Sequence, residues 1–390
     1  MNFYSEALKI KDRLIHWRRE FHMYPELGYE EKRTSAIIKK KLEENGIEYV
    51  ETAHTGICAL IKGNGDKTVG IRADMDALPL MDNKNCNYAS KVEGKMHACG
   101  HDAHTAILMG AALVLNNFKH SLNGNVKLFF EPAEETTGGA KIMIEEGVLE
   151  NPHVDAIIGL HVDENIPCGK VGIKRGVVNA ASNPFTIKIL GKGAHGARPQ
   201  DSVDPIYIAS SIVMNLQSII SRELSPVEPA VITIGTIHGG TAQNIIPEEV
   251  TISGIIRTMK AEHREYVVKR FKDIIEGITD SLRGKCIVQV DESYPCLYND
   301  ESMYNLFINT SLKLLKEEKV IELLNPSMGV ESFAYFSNER PSVFYYLGVR
   351  NEEKGITNPA HSSLFDIDED SLSLGVALHC QLVQSYLDTE

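Results

Sequence analysis

The sequence has no excess of positive charge, no long apolar run and no closely paired cysteines. Its 390 residues carry a formal net charge of -13 without a prominent Lys/Arg cluster, so nucleic acid is not an expected partner. No apolar run approaches the roughly 20 residues that cross a bilayer. The opening stretch, MNFYSEALKIKDRLIHWRRE, lacks the uninterrupted apolar core of a signal peptide. Membrane association is therefore not expected either.

The cysteine content indicates a reducing compartment. Seven cysteines are spread widely along the chain with no C-x-x-C pair, which is typical of reduced thiols. Together with the missing signal sequence, this predicts a cytoplasmic protein. A chain of 390 residues that is 43% hydrophobic is also long for one compact domain, so two domains are expected.

The order of predicted helices and strands indicates one domain inserted into another. After helices predicted over about 4–22 and 31–45, short apolar runs alternate with helical stretches, which is typical of a mainly parallel sheet with helices on both faces. From 181 to 293 the pattern changes to a split βαβ arrangement, and afterwards the first pattern resumes. We predict an α/β domain formed by 1–180 and 294–390, interrupted by an α+β, ferredoxin-like domain over 181–293.

Polar side chains that packing does not explain follow the ends of several predicted strands. In open α/β sheets the ligand crevice lies beyond the carboxyl ends of the strands, so these groups should meet there. Four strands lead to Asp74 and Asp76, to Glu131, Glu134 and Glu135, to His161, and to a loop with His361. The loop MHACGHDAHT before a predicted helix adds His97, Cys99, His101, Asp102 and His104.

These residue types favour a divalent transition metal. Thiolate, imidazole and carboxylate together suit zinc or manganese, whereas magnesium and calcium prefer oxygen ligands alone. Cys99 and His101 are two residues apart, so both side chains can leave one face of an extended segment. Glu134 and Glu135 are adjacent and must diverge, so one can bind metal while the other takes a proton from water. Each residue alone has a plain structural explanation, but their shared location favours a metal site.

Other catalytic motifs are absent or incomplete. The segment GKGAHG at 191–196 matches the dinucleotide fingerprint G-x-G-x-x-G, but ARPQDSVDP follows it and cannot open the helix that would hold a pyrophosphate. There is no G-x-S-x-G nucleophile elbow and no H-E-x-x-H helix, which argues against a serine hydrolase or a classical zinc protease.

A series of motifs along nearly the whole chain carries a family resemblance. The motifs, in order, are RREFHMYPELGYEE, RADMDALP, MHACGHDAHT, FFEPAEE, GLHV, GKGAHGARP and PAHSSLF. With them the chain resembles the dinuclear metallopeptidases that include aminoacylases and glutamate carboxypeptidases. Within that family it is most similar to bacterial N-acyl-amino-acid amidohydrolases, hippurate hydrolases and plant auxin-conjugate hydrolases.

The resemblance implies two divalent metal ions per subunit, zinc or manganese, with cobalt or nickel as alternatives. The positions that match the metal ligands of this branch are Cys99, His101, Glu135, His161 and His361. Glu134 matches the general base, and Asp76 matches the carboxylate that steadies the site. Many relatives have a histidine where this chain has Asp74. That departure leaves the bridging atom open, and the sulfur of Cys99 is a candidate.

The resemblance also implies a homodimer or dimer-based oligomer formed through the inserted domain. His195 matches a histidine that reaches the neighbouring subunit's active site and polarises the substrate carbonyl. Asn244 and Arg257 are similar to residues that hold the substrate carboxylate, although a turn residue and a solvated strand-end charge are the plain alternatives. The substrate implied is a small N-acyl amino acid or short peptide.

These observations predict metal-dependent hydrolysis of an amide bond. Two ions would activate a shared water, and Glu134 would accept its proton and later pass it to the leaving amine. A non-catalytic metal or amino-acid binding protein is the first alternative, but it would not need a second carboxylate beside Glu135. A nicotinamide-dependent oxidoreductase built on GKGAHG is the other.

Overall fold

A computed structural model describes residues 1–389. The chain divides into two compact units. The first comprises Met1–Val178, Tyr298–Asn325 and the described residues from 331 onward. The second comprises Asn179–Leu297 together with the short segment Pro326–Val330, which returns to it from a distant part of the sequence.

The strands are numbered in chain order. They are β1 (Glu48–Thr52), β2 (Gly56–Ile61), β3 (Thr68–Asp74), β4 (Asn125–Glu131), β5 (Ala156–Pro167), β6 (Val171–Ile173), β7 (Gly176–Asn179), β8 (Ala181–Leu190), β9 (Ala194–His195), β10 (Ala230–Gly239), β11 (Ile245–Ile246), β12 (Glu249–Thr258), β13 (Lys285–Val290), β14 (Leu297–Asn299), β15 (Val320–Glu322) and β16 (Ser342–Arg350).

The α-helices are numbered in the same way. They are α1 (Phe3–Lys9), α2 (Lys11–Met23), α3 (Lys32–Glu44), α4 (His101–Asn117), α5 (Gly139–Glu145), α6 (Pro205–Ser218), α7 (Ala261–Ser281), α8 (Glu301–Leu314), α9 (Phe333–Glu339) and α10 (Leu372–Leu387). Short 3₁₀ turns occupy Lys119–Ser121, Pro199–Asp201, Glu317–Lys319 and Glu369–Ser371, and a π turn occupies Ile219–Glu223. Among the described residues, no helix is both long enough and apolar enough to span a bilayer.

The first unit is built around an eight-stranded sheet in the order β1-β2-β4-β3-β5-β16-β6-β15. The four central strands β4, β3, β5 and β16 run parallel to one another, while β1, β2 and β6 supply antiparallel pairings. All seven residues of β3 are buried, as expected for a strand that is covered on both faces. This confirms the predicted α/β class with a mainly parallel central sheet.

The helix predicted over 4–22 is wrong in one respect, because the structure has two helices there. Ile10 leaves the helical conformation at φ -107° and ψ 10°, and its amide turns back to the carbonyl of Ala7. Both α1 and α2 contact α4 across this break. The short, exposed edge strand β1 was not predicted at all.

The second unit has a four-stranded antiparallel sheet in the order β10-β12-β8-β13. In the chain its elements follow the order β8, α6, β10, β12, α7 and β13, which is the split βαβ arrangement expected. Its core packs α6 and α7 against one face of the sheet through residues such as Ile187, Ile212 and Phe271. The segment GKGAHG leads into β9 and a 3₁₀ turn, and α6 begins only at Pro205.

Candidate metal centre

The carboxyl ends of the central strands bring the predicted polar groups of the first unit together. In the parallel pair β3 and β4, the last residues Asp74 and Glu131 lie opposite each other, and His161 lies in the neighbouring β5. Gly100 precedes α4 with φ +92°, and a Cβ there would lie 2.3 Å from the side chain of Val162. A glycine is therefore needed to bring the start of α4 this close to β5.

All five side chains predicted as metal ligands converge. Cys99, His101 and His161 have donor atoms within 4.8 Å of one another, and so do Cys99, Glu135 and His361. The Sγ of Cys99 lies 3.4 Å from Nε2 of His161, and Oε1 of Glu135 lies 3.4 Å from Nε2 of His361. Nε2 of His101 lies 3.8 Å from the same glutamate oxygen. The two trios share Cys99, so the cluster has the form of two adjoining sites.

Hydrogen bonds turn the ligand atoms toward the cluster. Nδ1 of His101 lies 3.2 Å from Oδ1 of Asp76, and Nδ1 of His161 donates to the carbonyl of Val162 at 2.6 Å, so each ring presents Nε2 to its neighbours. Asp76 also accepts the backbone N–H of Glu135 at 2.9 Å. Nε2 of His101 and Oε1 of Glu135 are buried without a hydrogen-bond partner. Such atoms are costly in a dry interior, and a bound cation would offset that cost, so the residues fit a metal.

The electrostatics of the cluster also fit a cation. Glu134 is buried, and its Oε1 accepts the N–H of Ser332 at 3.1 Å. Burial, followed by the charges of Glu331 and Glu135, raises the pKa of Glu134 well above its usual value. Burial, followed by the charge of Glu135, likewise raises the pKa of the Cys99 thiol. A divalent ion would oppose both effects by stabilising the ionised forms.

Asp74 and His104 form a third trio with His101 but are already committed to other partners. Nδ1 of His104 lies 2.6 Å from Oδ1 of Asp74, and its Nε2 accepts the N–H of Val162 at 2.9 Å. The other oxygen of Asp74 accepts from Arg72 at 2.6 Å. Burial lowers the pKa of His104 to about 4, so its ring is neutral. These hydrogen bonds use both nitrogens of His104, and each oxygen of Asp74 already accepts one of them or one from Arg72.

A network of buried charged side chains adjoins the proposed ligands, and its hydrogen bonds and ion pairs were not predicted from the sequence. Arg72 donates to Glu131 at 2.5 Å and to Ser332 at 2.7 Å, and lies 3.0 Å from Glu331. Ser332 in turn donates to Glu131 at 2.6 Å. Burial alone would raise the pKa of Asp74, but Arg72 and neighbouring histidines hold it well below its usual value. Asp74 and Glu131 were predicted as strand-end groups, whereas Glu331 and Ser332 gave no signal beyond their place just before the short helix α9.

Two other residues of the MHACGHDAHT loop lie outside the ligand cluster. Asp102 accepts hydrogen bonds from Arg18 at 2.9 Å and lies 2.6 Å from Nδ1 of His22, both in the RREFH motif. Arg18 also donates to Asp366 at 2.7 Å. His97 is buried, and neither ring nitrogen has a hydrogen-bond partner. The RREFH motif thus anchors the start of α4 instead of joining the cluster.

The three remaining predicted residues belong to the second unit. His195 and Asn244 line the same open cavity of about 920 Å³. His195 is exposed, and its Nδ1 accepts the N–H of Ala197 at 3.0 Å, so the neutral ring carries its proton on Nε2. Arg257 is half-buried in β12, its Nη1 has no hydrogen-bond partner, and burial lowers its pKa.

The fold and the cluster define a class of protein, the metal-dependent hydrolases with a thiolate, imidazole and carboxylate centre at the end of an α/β sheet. The sequence profile of peptidase family M20/M25/M40 matches residues 70–385, and the chain belongs to this family. It is a hydrolase of that family.

Characterised relatives are similar over nearly the whole chain. The N-acetyl-L-cysteine deacetylase of Bacillus subtilis is 41% identical, with 93% of this chain and 85% of that protein covered. The IAA-amino acid hydrolase ILR1-like 2 of Arabidopsis thaliana is 39% identical, with 98% and 87% covered. The crystal structure of the Bacillus subtilis YXEP protein, a dinuclear metal binding peptidase from the M20 family, matches with a TM-score of 0.85 at 33% identity, covering 98% and 99%.

Proposed function

We propose that this chain hydrolyses the amide bond of an N-acyl amino acid or short peptide, using two metal ions and Glu134 as general base. The observation that carries the proposal is the convergence of five metal-binding side chains beside Glu134, a buried carboxylate with an oxygen within 4.8 Å of donor atoms of His101 and Glu135. The relatives support the substrate class, because a deacetylase of N-acetyl-L-cysteine and a hydrolase of IAA-amino acids both act on amino acids with an acyl group on nitrogen.

We propose zinc or manganese as the metals, with cobalt or nickel as alternatives. A donor set that contains sulfur and imidazole favours these ions over magnesium and calcium. Cys99, His101 and His161 would hold one ion, and Cys99, Glu135 and His361 the other. Cys99 belongs to both trios, so its side chain is the donor that the two sets have in common.

Two ions held by these residues would supply Lewis acidity for the amide carbonyl and would lower the pKa of the attacking water. The carboxylate of Glu134 accepts the proton of that water, while the N–H of Ser332 fixes its Oε1. Glu134 then gives the proton to the nitrogen of the leaving amino acid. Asp76 keeps the ring of His101 and the backbone of Glu135 in place throughout.

We further propose a homodimer in which His195 of one copy acts on the substrate of the other. Its Nε2–H is a donor suited to an oxygen that gains negative charge during the attack. Asn244 lines the same cavity and would hold the substrate carboxylate together with Arg257, whose Nη1 is buried without a partner.

A cytoplasmic location is supported by the cysteines, since no disulfide bond joins any of them in the described chain.

A substrate panel tests the proposal. The full-length protein is stripped with a chelator, reloaded with Zn²⁺, Mn²⁺ or Co²⁺, and assayed for amine release from hippurate, N-acetyl amino acids, N-acetyl-diaminopimelate and short peptides. We expect turnover that requires the added metal. Binding of these compounds without any turnover would instead favour a non-catalytic binding protein. A change in nicotinamide fluorescence on adding the protein would favour an oxidoreductase.

Subunit mixing tests the role of His195. His195→Ala and Glu134→Gln are each expected to have strongly reduced activity as separate proteins. After co-refolding or co-expression, a mixed dimer would combine an intact Glu134 with an intact His195 from its neighbour, and activity should return. Absence of any rescue, with mixed dimers present by mass spectrometry, would show that His195 does not act across the dimer.

A further inference from the structure

The ring of His104 joins two strands of the first unit. It is buried, and both of its nitrogens have partners. The backbone N–H of Val162 can only donate, so Nε2 of His104 is the acceptor at 2.9 Å. The proton of the neutral ring therefore sits on Nδ1, which donates to Oδ1 of Asp74 at 2.6 Å. The tautomer is thus defined by the neighbours.

The end of the pairing between β3 and β5 explains why the N–H of Val162 needs a side-chain acceptor. The strands β3 and β5 pair only as far as Arg72 and Gly159, so the peptide of Val162 lies beyond the end of that ladder. An unsatisfied N–H in this interior would be costly. The side chain of His104 provides the acceptor that the ended strand β3 no longer offers.

The carbonyl group of Val162, in the next peptide group along β5, sets the orientation of a proposed metal ligand. The carbonyl oxygen of Val162 accepts from Nδ1 of His161 at 2.6 Å. That hydrogen bond fixes the ring so that Nε2 of His161 lies 3.4 Å from the sulfur of Cys99. The two peptide groups meet at the Cα of Val162, so a shift of the backbone at this residue would move the carbonyl and, with it, the imidazole.

Asp74, which accepts the hydrogen bond from Nδ1 of His104, is itself held in place by a buried partner. Asp74 accepts from His104 through one oxygen and from Arg72 through the other, each at 2.6 Å. Arg72 is fully buried and also contacts Glu131. The acceptor for His104 is therefore fixed by a buried guanidinium.

We propose that His104 is a positioning residue, which through the backbone of Val162 orients the ring of His161 for metal binding. His104 itself does not touch the metal, because both of its nitrogens are used. The inference rests on the assignment of His161 as a ligand under the proposed function. The loss of an outer hydrogen-bond partner of a ligating histidine typically costs about 10- to 100-fold in metal affinity.

Two substitutions test the two hydrogen bonds of the His104 ring one at a time. In His104→Gln the amide oxygen can reach the place of Nε2 and accept from Val162, whereas in His104→Asn the amide nitrogen can replace Nδ1 and donate to Asp74. His104→Phe keeps the ring volume and removes both bonds. The affinity of the full chain for Zn²⁺ is measured by titration in a competing chelator, and metal content by elemental analysis. We expect about 10- to 100-fold weaker binding for the Phe and Asn variants, with much of the affinity kept in the Gln variant.

His379 provides a matched control, since it is an equally buried histidine on α10 whose Nδ1 lies 3.3 Å from the hydroxyl of Tyr345. His379→Phe should lower thermal stability without changing Zn²⁺ affinity. His161→Ala is included because it tests the ligand assignment by itself. If His161→Ala binds both ions like the parent, the proposed metal site fails. If His161→Ala loses metal while the folded Phe and Asn variants at position 104 bind Zn²⁺ like the parent, only the inference about His104 is overturned. The same holds if His104→Gln binds Zn²⁺ no more tightly than His104→Asn.

Discussion

Glu134→Gln is the sharpest perturbation of the proposed chemistry. The substitution replaces one carboxylate oxygen by an amide nitrogen and keeps the length of the side chain. The oxygen that remains can still accept the N–H of Ser332, which lies 3.1 Å from Oε1 in the parent. The five proposed ligands are untouched. The variant therefore removes the proton acceptor and leaves the metal cluster in place.

The expected loss in kcat is about 10²- to 10⁴-fold, the range for a general base. At about 1.4 kcal/mol per factor of ten, this corresponds to a transition state destabilised by about 3 to 5 kcal/mol. KM should change little, because Glu134 acts on the water and on the leaving amine and does not bind the ground-state substrate. Metal content should remain at two ions per chain.

The assay is steady-state hydrolysis of the best substrate from the panel, with metal content measured on the same samples. Glu31→Gln is the matched control, because Glu31 is another buried glutamate that accepts from Thr55 at 2.6 Å and from the amide of Ala133 at 2.9 Å. The control should keep activity within a few-fold of the parent. Full activity of Glu134→Gln with both metals bound would refute the assigned role.

Three further predictions concern stability and metal loading. Burial raises the pKa of Glu31 to about 7. The stabilising contribution of this residue is therefore fully present below the usual glutamate pKa of about 4.3 and is lost as the pH rises through 7. The unfolding free energy of the parent relative to Glu31→Gln, measured in urea with chelator, should therefore fall by about 3 kcal/mol between pH 4 and 8, and a constant difference would contradict this. Arg18→Met leaves Asp102 buried without its guanidinium partner and should lower the unfolding free energy in urea by about 3 to 5 kcal/mol. The exposed control Arg175→Met should lower it by under about 1 kcal/mol. Equal losses would contradict a stabilising role for the buried Arg18–Asp102 pair. Cys99→Ser should lower metal content by elemental analysis, and unchanged content would reject Cys99 as a ligand.

The central strands and the residues at their ends could be predicted from the sequence. β3, β4 and β5 are short apolar runs that stop at an acidic residue or contain a histidine near the point where the buried run ends. Parallel strands place their carboxyl ends at one edge of a sheet, so Asp74 and Glu131 were expected at the same edge, and in the structure they lie opposite each other. The residue types then indicated the chemistry. None of these steps required knowledge of long-range packing.

The supporting network could not be predicted, because its members are joined only by tertiary structure. Arg72 lies inside a buried strand, where a sequence pattern gives no partner for a guanidinium. Glu331 and Ser332 are about 260 residues further along and precede a helix of seven residues, which has too few positions for a clear apolar period. The segment Pro326–Val330 joins the second unit for the same reason, through contacts distant in sequence.

The charges of this network explain why the metal cluster and the fold depend on each other. Arg72 is one positive charge among Asp74, Glu131 and Glu331, and Glu134 lies close enough for its charge to act on the guanidinium. These acidic groups outnumber the one guanidinium, burial and neighbouring charges raise the pKa values of Glu131 and Glu134, and Glu135 of the ligand cluster adds another carboxylate. Two divalent cations would supply the missing positive charge. Metal binding should accordingly raise the unfolding temperature, and its removal should weaken the same part of the sheet that positions the catalytic groups.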